Sequence, residues 1–342
     1  MLRFTGDICF TDNYFDIGYG VGSAISNGLN PFKNIEKKED DIWIGNFECV
    51  ATDKSIHSSY RKDCFRISPS LLENATLVDY YGVANNHVTE HGNEAYEQMC
   101  EYLNAHCKGC FGSNSQKTII FGHQNRKVAI TAFSLRKDET KREPLYWSFP
   151  ELNEIEQEYK SIEADVKILY LHWGVEFINY PNTEQRKLAH WLIDLGYDLI
   201  IGMHPHILQG YEVYKGKYIF YSLGNFVFNM AWYPSKFSTV VGYDVNTGKV
   251  EFDYVKIDKN YSPYIIATSD VPENIRFEHL NSLFNDYENP ESYINKAKKG
   301  LKAYRKSNNI SFIKNIHRNN LNVLVNILFD FIKRRLGYGN KK

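Results

Sequence analysis

The chain has 342 residues, enough to bury a sizeable core in one large domain with an appendage, or in two domains. A formal net charge of −1 argues against nucleic acid as its main partner, and abundant tyrosine and phenylalanine fit a large packed core, with a polymer-binding groove as a further use. No apolar run reaches the roughly 18 residues a membrane-spanning helix needs, and Met1-Leu2-Arg3-Phe4-Thr5 has no leader pattern, so a cytoplasmic location is expected.

Short apolar runs bounded by glycine predict buried strands, and several of them end in polar residues of one chemical kind. Leu2-Arg3-Phe4-Thr5 runs into Gly6-Asp7, and Asp41-Ile42-Trp43-Ile44 runs into Gly45-Asn46-Phe47-Glu48. Tyr80-Tyr81-Gly82-Val83-Ala84 delivers Asn85-Asn86-His87, and residues 166–171 deliver His172-Trp173-Gly174-Val175-Glu176. Asn182 with Gln185 three residues on predicts a helix start, Leu188, Trp191, Leu192 and Leu195 an apolar stripe, and Gly196 its stop. Leu199-Ile200-Ile201-Gly202-Met203 then ends in His204-Pro205-His206. The proline biases His204 towards extended backbone, in which two histidines two apart share a face. From Tyr218 the pattern turns to strands, over Tyr218 to Leu223, Phe237 to Val245 and Lys249 to Ile257, with Asn246-Thr247-Gly248 as a hairpin turn, and a second sheet packed on the first is expected there.

In an open α/β sheet, ligands gather beyond the carboxyl ends of the strands. Asp7, Asn46, Glu48, Asn86, His87, His172, His204 and His206 are therefore expected at one edge. Singly, an aspartate after a strand is a turn former and a histidine a satisfied core residue. Their coincidence at five strand ends points to one metal site. Oxygen and imidazole donors suit Mn, Fe, Zn or Co, and so many candidates suit two divalent ions. A carboxylate can bridge two ions, which favours Glu48 over Asn46, and His87 is left to donate a proton to a leaving group.

The strings FTGDICF, IWIGNFE, GVANNH followed by Gly92, YLHWGVEF and DLIIGMHPHILQGYEVY, running into KYIFYSLGNFVF, together resemble the poly-γ-glutamate capsule synthesis family, CapA-like, over about residues 2 to 230. That family looks like a divergent branch of the calcineurin-like metallophosphoesterases. The resemblance implies a four-layer α/β sandwich of two mixed sheets flanked by helices, and a dinuclear site. Asp7, Glu48 or Asn46, Asn86, His172, His204 and His206 fall on its metal motifs, and His87 on the acid histidine. Asn225 in Ser222-Leu223-Gly224-Asn225-Phe226 falls on a motif expected to contact substrate or support the site. Where ordinary metallophosphoesterases carry Asp-x-His, Cys9 stands in place of the histidine, and Glu90 stands near the place of an aspartate after Asn-His. His91 reads as a surface residue.

The loops Thr52 to Arg66 and Arg136 to Phe149 are expected to shape the pocket, with Arg61, Lys62, Arg66, Arg136 and Lys137 as cations for a phosphate or polyanion; Arg61 and Glu176 are the substrate-binding candidates beside Asn225. All six cysteines lie in the first third and read as free thiols, with Cys107-Lys108-Gly109-Cys110 marking a helix end. The domain is expected over residues 1–270 and a helical extension over 271–342, where Leu321, Leu324, Leu328, Phe331 and Ile332 precede Lys333-Arg334-Arg335. That extension suits packing on the sandwich, peripheral membrane contact or a partner enzyme. The functional expectation is a metal-dependent hydrolase of phosphoester or related bonds, acting on a surface-polymer precursor or other polyanion. The alternatives are a non-catalytic accessory subunit of a polymer synthase complex, and an amide hydrolase acting on γ-glutamyl bonds.

Overall fold

A computed structural model describes residues 1–57, 60–136, 143–285 and 288–319, with 321, 323–326 and 329. The strands of its first half are β1 (Leu2–Ile8), β2 (Ile42–Phe47), β3 (Val50–Ala51), β4 (Arg66–Ile67), β5 (Tyr80–Gly82), β6 (Gly109–Phe111), β7 (Thr118–His123) and β8 (Arg126–Ser134). Those of the second are β9 (Val166–His172), β10 (Leu199–Met203), β11 (Tyr211–Tyr214), β12 (Lys217–Phe220), β13 (Asn225–Val227), β14 (Phe237–Tyr243), β15 (Val250–Ile257) and β16 (Pro263–Ile265). The α-helices are α1 (Val21–Ser26), α2 (Asn93–His106), α3 (Leu152–Ser161), α4 (Thr183–Leu195), α5 (Phe277–Ser282) and α6 (Pro290–Asn315).

The architecture is α/β, with two mixed sheets. One runs β16-β15-β14-β1-β2-β5-β6, with β13 also paired to β1, and the other runs β11-β12-β10-β9-β8-β7. Within each, a parallel centre carries the site; antiparallel strands finish both edges of the second sheet and the β14–β16 edge of the first, whose other edge, β6, is parallel. The sheets meet through apolar side chains: Phe4 packs on Tyr170 with ring centroids 6.1 Å apart, and the Tyr170 hydroxyl donates to the Thr5 carbonyl at 2.7 Å. Behind the second sheet, Leu169, Leu171 and Ile200 pack on Ile155 of α3 and on Ala189, Leu192 and Ile193 of α4. Both faces of β1 and β10 are thus covered, which is why their sequences read as unbroken apolar runs.

One expectation is corrected here. The strand predicted over Tyr218 to Leu223 joins the second sheet as β12, beside β10, but the strands from Phe237 onward do not. β14 pairs antiparallel with β1, Leu2 opposite Tyr243, so β14 to β16 extend the first sheet, while β7 to β12 form the second. The local signals hold. Asn182 Oδ1 accepts from the Gln185 amide at 2.7 Å, and Gly196 ends α4 at φ +124°. In the β14–β15 turn, the Asp244 carboxylate accepts from the Asn246 and Thr247 amides, and Gly248 takes φ +70°. α2 stops at His106, and Cys107, Cys110 and the other four cysteines are free thiols.

Gly6 sets the position of the first site residue. A Cβ there would lie 1.8 Å from the Gly224 carbonyl oxygen, so β1 and the chain entering β13 can touch only through a glycine. This contact lets the Asp7 amide donate to Gly224 O at 2.9 Å and puts Asp7 in register with Asn225. Gly6→Ala is expected to cost about 3 kcal/mol and to lower the melting temperature by roughly 5–10 °C, as read by thermal unfolding.

Beyond residue 270 the described chain is mostly helical. α6 is capped by Asn289, whose side chain accepts from the Glu291 amide at 2.8 Å, and it buries Tyr293, Ala297 and Asn308. Leu328, Phe331, Ile332 and Lys333-Arg334-Arg335 lie outside the described residues. Among the described residues no helix is long and apolar enough to cross a membrane.

Candidate metal centre

The polar residues at the strand ends converge where the two sheets meet, at their shared carboxyl edge. β1 and β2 pair in parallel with Asp7 opposite Asn46, and Glu48 follows directly. In the second sheet His172 pairs with Met203, so His204 leaves β10 beside the His172 ring, with centroids 4.7 Å apart. Asp7, Asn46, Glu48, Asn86, His172, His204, His206 and Asn225 are all buried. The site draws on both sheets rather than on the edge of one.

The geometry of the histidine pair differs from the expected one. His204 and His206 have φ +99° and +60°, so they sit in a left-handed bend beyond β10 and not on extended backbone. Such backbone is costly for a side-chain-bearing residue, though histidine tolerates it better than most. The bend is held by the His204 amide, which donates to Asp7 Oδ2 at 3.2 Å. Both rings still enter the cluster.

Three overlapping groups have ligand atoms within 4.8 Å of one another: Glu48 with His172 and His204, Asp7 with Glu48 and His206, and Glu176 with His204 and His206. Glu48 is common to two of them, and its Oε1 lies 3.6 Å from His172 Nε2 and 3.7 Å from His206 Nε2. Among the described residues four buried polar atoms of the site have no hydrogen-bond partner: both carboxylate oxygens of Glu48 and both ring nitrogens of His204. A buried polar group without a partner costs free energy, so oxygens and imidazole nitrogens converging in this way fit a cation.

Burial holds His204 well below the usual histidine range and His172 at about 3, which keeps both as the neutral bases that ligate metals. Burial also lowers His206, but the adjacent Asp7 carboxylate, with Asn225, outweighs it and raises the group overall. Asp7 is the complement: burial pushes it up, and His206, His172 and Asn46 bring it below the ordinary value. Glu48 has no such support. Burial, reinforced by the charges of Asp7, Cys9 and Glu176, pushes it far above the usual carboxylate range.

A second layer fixes the first. Asn46 Nδ2 donates to Asp7 Oδ1 at 2.7 Å and approaches His172 Nδ1 at 3.3 Å, while its Oδ1 accepts from Asn85 Nδ2 at 3.0 Å. Both ends of the Asn46 amide are therefore engaged with protein. Asn86 Oδ1 is 2.9 Å from His172 Nε2, and Asn225 Oδ1 is 3.0 Å from His206 Nδ1. His87 stands at the open side, its Nε2 3.9 Å from Glu48 Oε1, its Nδ1 2.5 Å from Glu90 Oε1, and its ring stacked on Phe65 at 4.1 Å. Tyr14 donates to the other oxygen of Glu90 at 3.1 Å.

Among the other candidates, Glu176 is half-buried at ligand distance from His204 and His206, with Arg136 3.9 Å away. Cys9 Sγ turns to Thr11 Oγ1 at 3.1 Å and belongs to none of the three groups. His91 is not on the surface: it is buried, with Nε2 2.8 Å from the Cys64 carbonyl and Nδ1 2.8 Å from Ser55 Oγ. Arg61 lies in a turn over Tyr60–Asp63, and its side chain and all of Lys137 lie outside the described residues. Arg66 braces its own loop through Lys62 O and Asp63. Asn85, Phe65 and Tyr14 were not singled out by sequence; only the doubled Asn85-Asn86 carried a signal, since a second asparagine beside a ligand has a bracing role open to it.

A family model described as bacterial capsule synthesis protein PGA_cap matches residues 1–230. The capsule biosynthesis protein CapA of Bacillus anthracis is 31% identical over 268 residues, covering 71% of this chain and 64% of that protein. The PGA biosynthesis protein CapA of Bacillus subtilis is 30% identical over 249 residues, covering 65% and 62%. The match thus spans less than two thirds of the length of either relative. Among solved structures, a phosphatase from Mycoplasma pneumoniae aligns over 76% of this chain and 95% of its own at a TM-score of 0.46 and 16% identity.

Proposed function

Because this chain belongs to the bacterial capsule synthesis protein family, we propose that it is a metal-dependent hydrolase of phosphoester bonds, acting in the assembly or modification of a surface polymer. The observation that carries this reading is the set of four buried atoms on Glu48 and His204 without a hydrogen-bond partner, close to His172 and His206. In it Asp7, Glu48, Asn86, His172, His204 and His206 would hold two divalent ions, Mn, Fe or Zn, with Glu48 belonging to two of the three ligand groups. Such ions supply Lewis acidity towards a phosphoryl oxygen and towards water.

The chain's own residues do the rest. His87 presents Nε2 to the cluster and donates its proton to the departing oxygen. Glu90, accepting at His87 Nδ1, holds the ring so that Nε2 faces inwards. Asn225 sets the His206 ring, and Asn46 sets Asp7 and His172. Glu90→Ala is expected to lower kcat by about 10–100-fold with KM and metal content little changed. Glu90→Gln, whose amide oxygen still accepts, is expected to recover most of that loss. Equal loss in both variants would remove Glu90 from a purely positioning role.

A second reading, an accessory subunit that keeps the fold without turnover, draws on Cys9. It stands where metallophosphoesterases carry a ligand histidine, and its sulfur faces Thr11, which leaves one ligand fewer. A hydrolysis screen in added Mn²⁺, with phosphomonoester, phosphodiester and γ-glutamyl amide substrates, separates the readings. Metal-dependent release of phosphate or alcohol is the expected result. Turnover of the amide alone would move the chemistry to γ-glutamyl bonds, and no turnover with any ion would favour the accessory reading.

A further inference from the structure

The C-terminal helix α6 is charged unlike the rest of the molecule. It carries six lysines and one arginine against a single acid, Glu291, in a chain whose net charge is −1. Lys298, Lys299, Lys302, Arg305, Lys306 and Lys314 are exposed, and among the described residues none of the six has an acidic partner. By helical spacing Lys298, Lys302 and Lys306 form one i, i+4 row with Lys299 and Arg305 flanking it, so the cations share the face opposite buried Tyr293, Ala297 and Asn308.

That face is not purely polar. Ile294, Ile310 and Ile313 are 43%, 45% and 66% exposed on it. In the described part of the segment that follows, Leu321, Val325 and Phe329 form an i, i+4, i+8 row exposed by 74%, 42% and 58%. We propose that α6 and the apolar row that follows it dock on an anionic lipid membrane, the lysines and arginine meeting headgroup charge and the apolar residues entering the interface. A soluble polyanion would be satisfied by the cations alone and would leave the large apolar side chains in water. A lipid surface uses both, and the pairing of a polybasic patch with apolar anchors is what stable peripheral binding requires.

The opposite face of α6 touches the metal centre's surroundings. Tyr304 stacks on Phe177 at 4.2 Å, and Phe177 stacks on His206 at 6.1 Å. Gly300 allows the close approach, since a Cβ there would lie 2.1 Å from the Phe177 carbonyl oxygen. Docking therefore puts the Phe177 ring and at least one helix diameter, ~10 Å, between the cluster and the headgroups. The inference stands on α6 itself and is independent of whether the cluster is catalytic.

The test is co-sedimentation of the whole protein with vesicles of equal parts phosphatidylglycerol and phosphatidylcholine, against vesicles of phosphatidylcholine alone. Binding to the anionic vesicles only, weakening as salt rises, is expected. The triple variant Lys298→Gln, Lys302→Gln, Lys306→Gln is expected to bind roughly hundredfold more weakly, and Leu321→Ser with Phe329→Ser to weaken binding as well, with circular dichroism and metal content unchanged in both. Equal binding to both vesicles, no binding to either, or undiminished binding by the triple variant would overturn the proposal. So would loss in the lysine variant alone together with competition by soluble polyglutamate, which would make the face a polyanion site.

Discussion

His87→Ala is expected to lower phosphodiester turnover by about 10²–10⁴-fold while bound metal stays nearly unchanged. The reason is its position: His87 belongs to none of the three ligand groups, yet its Nε2 comes within 3.9 Å of Glu48 at the open side of the cluster. The ring is fixed before any substrate arrives, by Glu90 at Nδ1 and by Phe65 stacked at an interplanar angle of 9°. Such preorganisation means the loss falls on kcat and not on folding, because a partly exposed imidazole leaves a small void that water fills. Turnover at wild-type level in pure His87→Ala protein would end its role as proton donor. Loss of metal in that variant would make it a ligand instead.

Glu48→Gln is expected to change stability in opposite directions with and without metal. In the metal-free protein Glu48 is a fully buried carboxylate with no hydrogen-bond partner, close to the Asp7 charge. Replacing it with a neutral amide of the same shape removes the cost of burying the carboxyl beside Asp7, whether as a charge or by forcing it to take up a proton, so the melting temperature in chelator should hold or rise, by a few degrees for each ~1 kcal/mol gained. With metal the wild type gains about 2.7 kcal/mol at a hundredfold excess over Kd, and Glu48→Gln, lacking the shared carboxylate, should gain little of it. Differential scanning fluorimetry in chelator and in Mn²⁺ reads both arms. A variant that loses stability in chelator and keeps the full Mn²⁺ shift would make Glu48 a structural group and not the bridge.

Much of the site was legible because β-structure converts sequence into position simply. Unbroken apolar runs such as Leu199 to Met203 announce strands covered on both faces, and whatever follows them must emerge at the sheet's carboxyl edge. That is enough to bring Asp7, Glu48, His172 and His206 together without knowing the strand order. The pairing of distant strands is not local information. Nothing within Phe237 to Ile257 says that β14 will pair with β1 rather than build a sheet of its own, and this is decided by the free edge that Leu2 to Phe4 offers. Backbone in a tight bend is equally hidden: Pro205 favours extension at His204, whereas the hydrogen bond that the His204 amide donates to Asp7 Oδ2, 197 residues away, accompanies a φ of +99°.

The second layer was the least legible part. Asn85 ties Asn46 to the chain at His87, and Phe65 gives His87 a face to stack on, but asparagine and phenylalanine are common in turns and cores, so neither type signals a bracing role by itself. His91 illustrates the same limit from the other side. A histidine beside glycine in a polar stretch reads as exposed, while Cys64 and Ser55, brought over by the loop before β4, bury it with both nitrogens partnered.

The measurement that bears most directly on the central claim is metal stoichiometry by elemental analysis, on wild-type protein purified without chelator and on protein stripped and reloaded with Mn²⁺. About two ions per chain, falling in His206→Ala and Glu48→Gln but not in His87→Ala, is the predicted result. A chain that holds no divalent ion under either condition, with the fold intact by circular dichroism, would contradict the account.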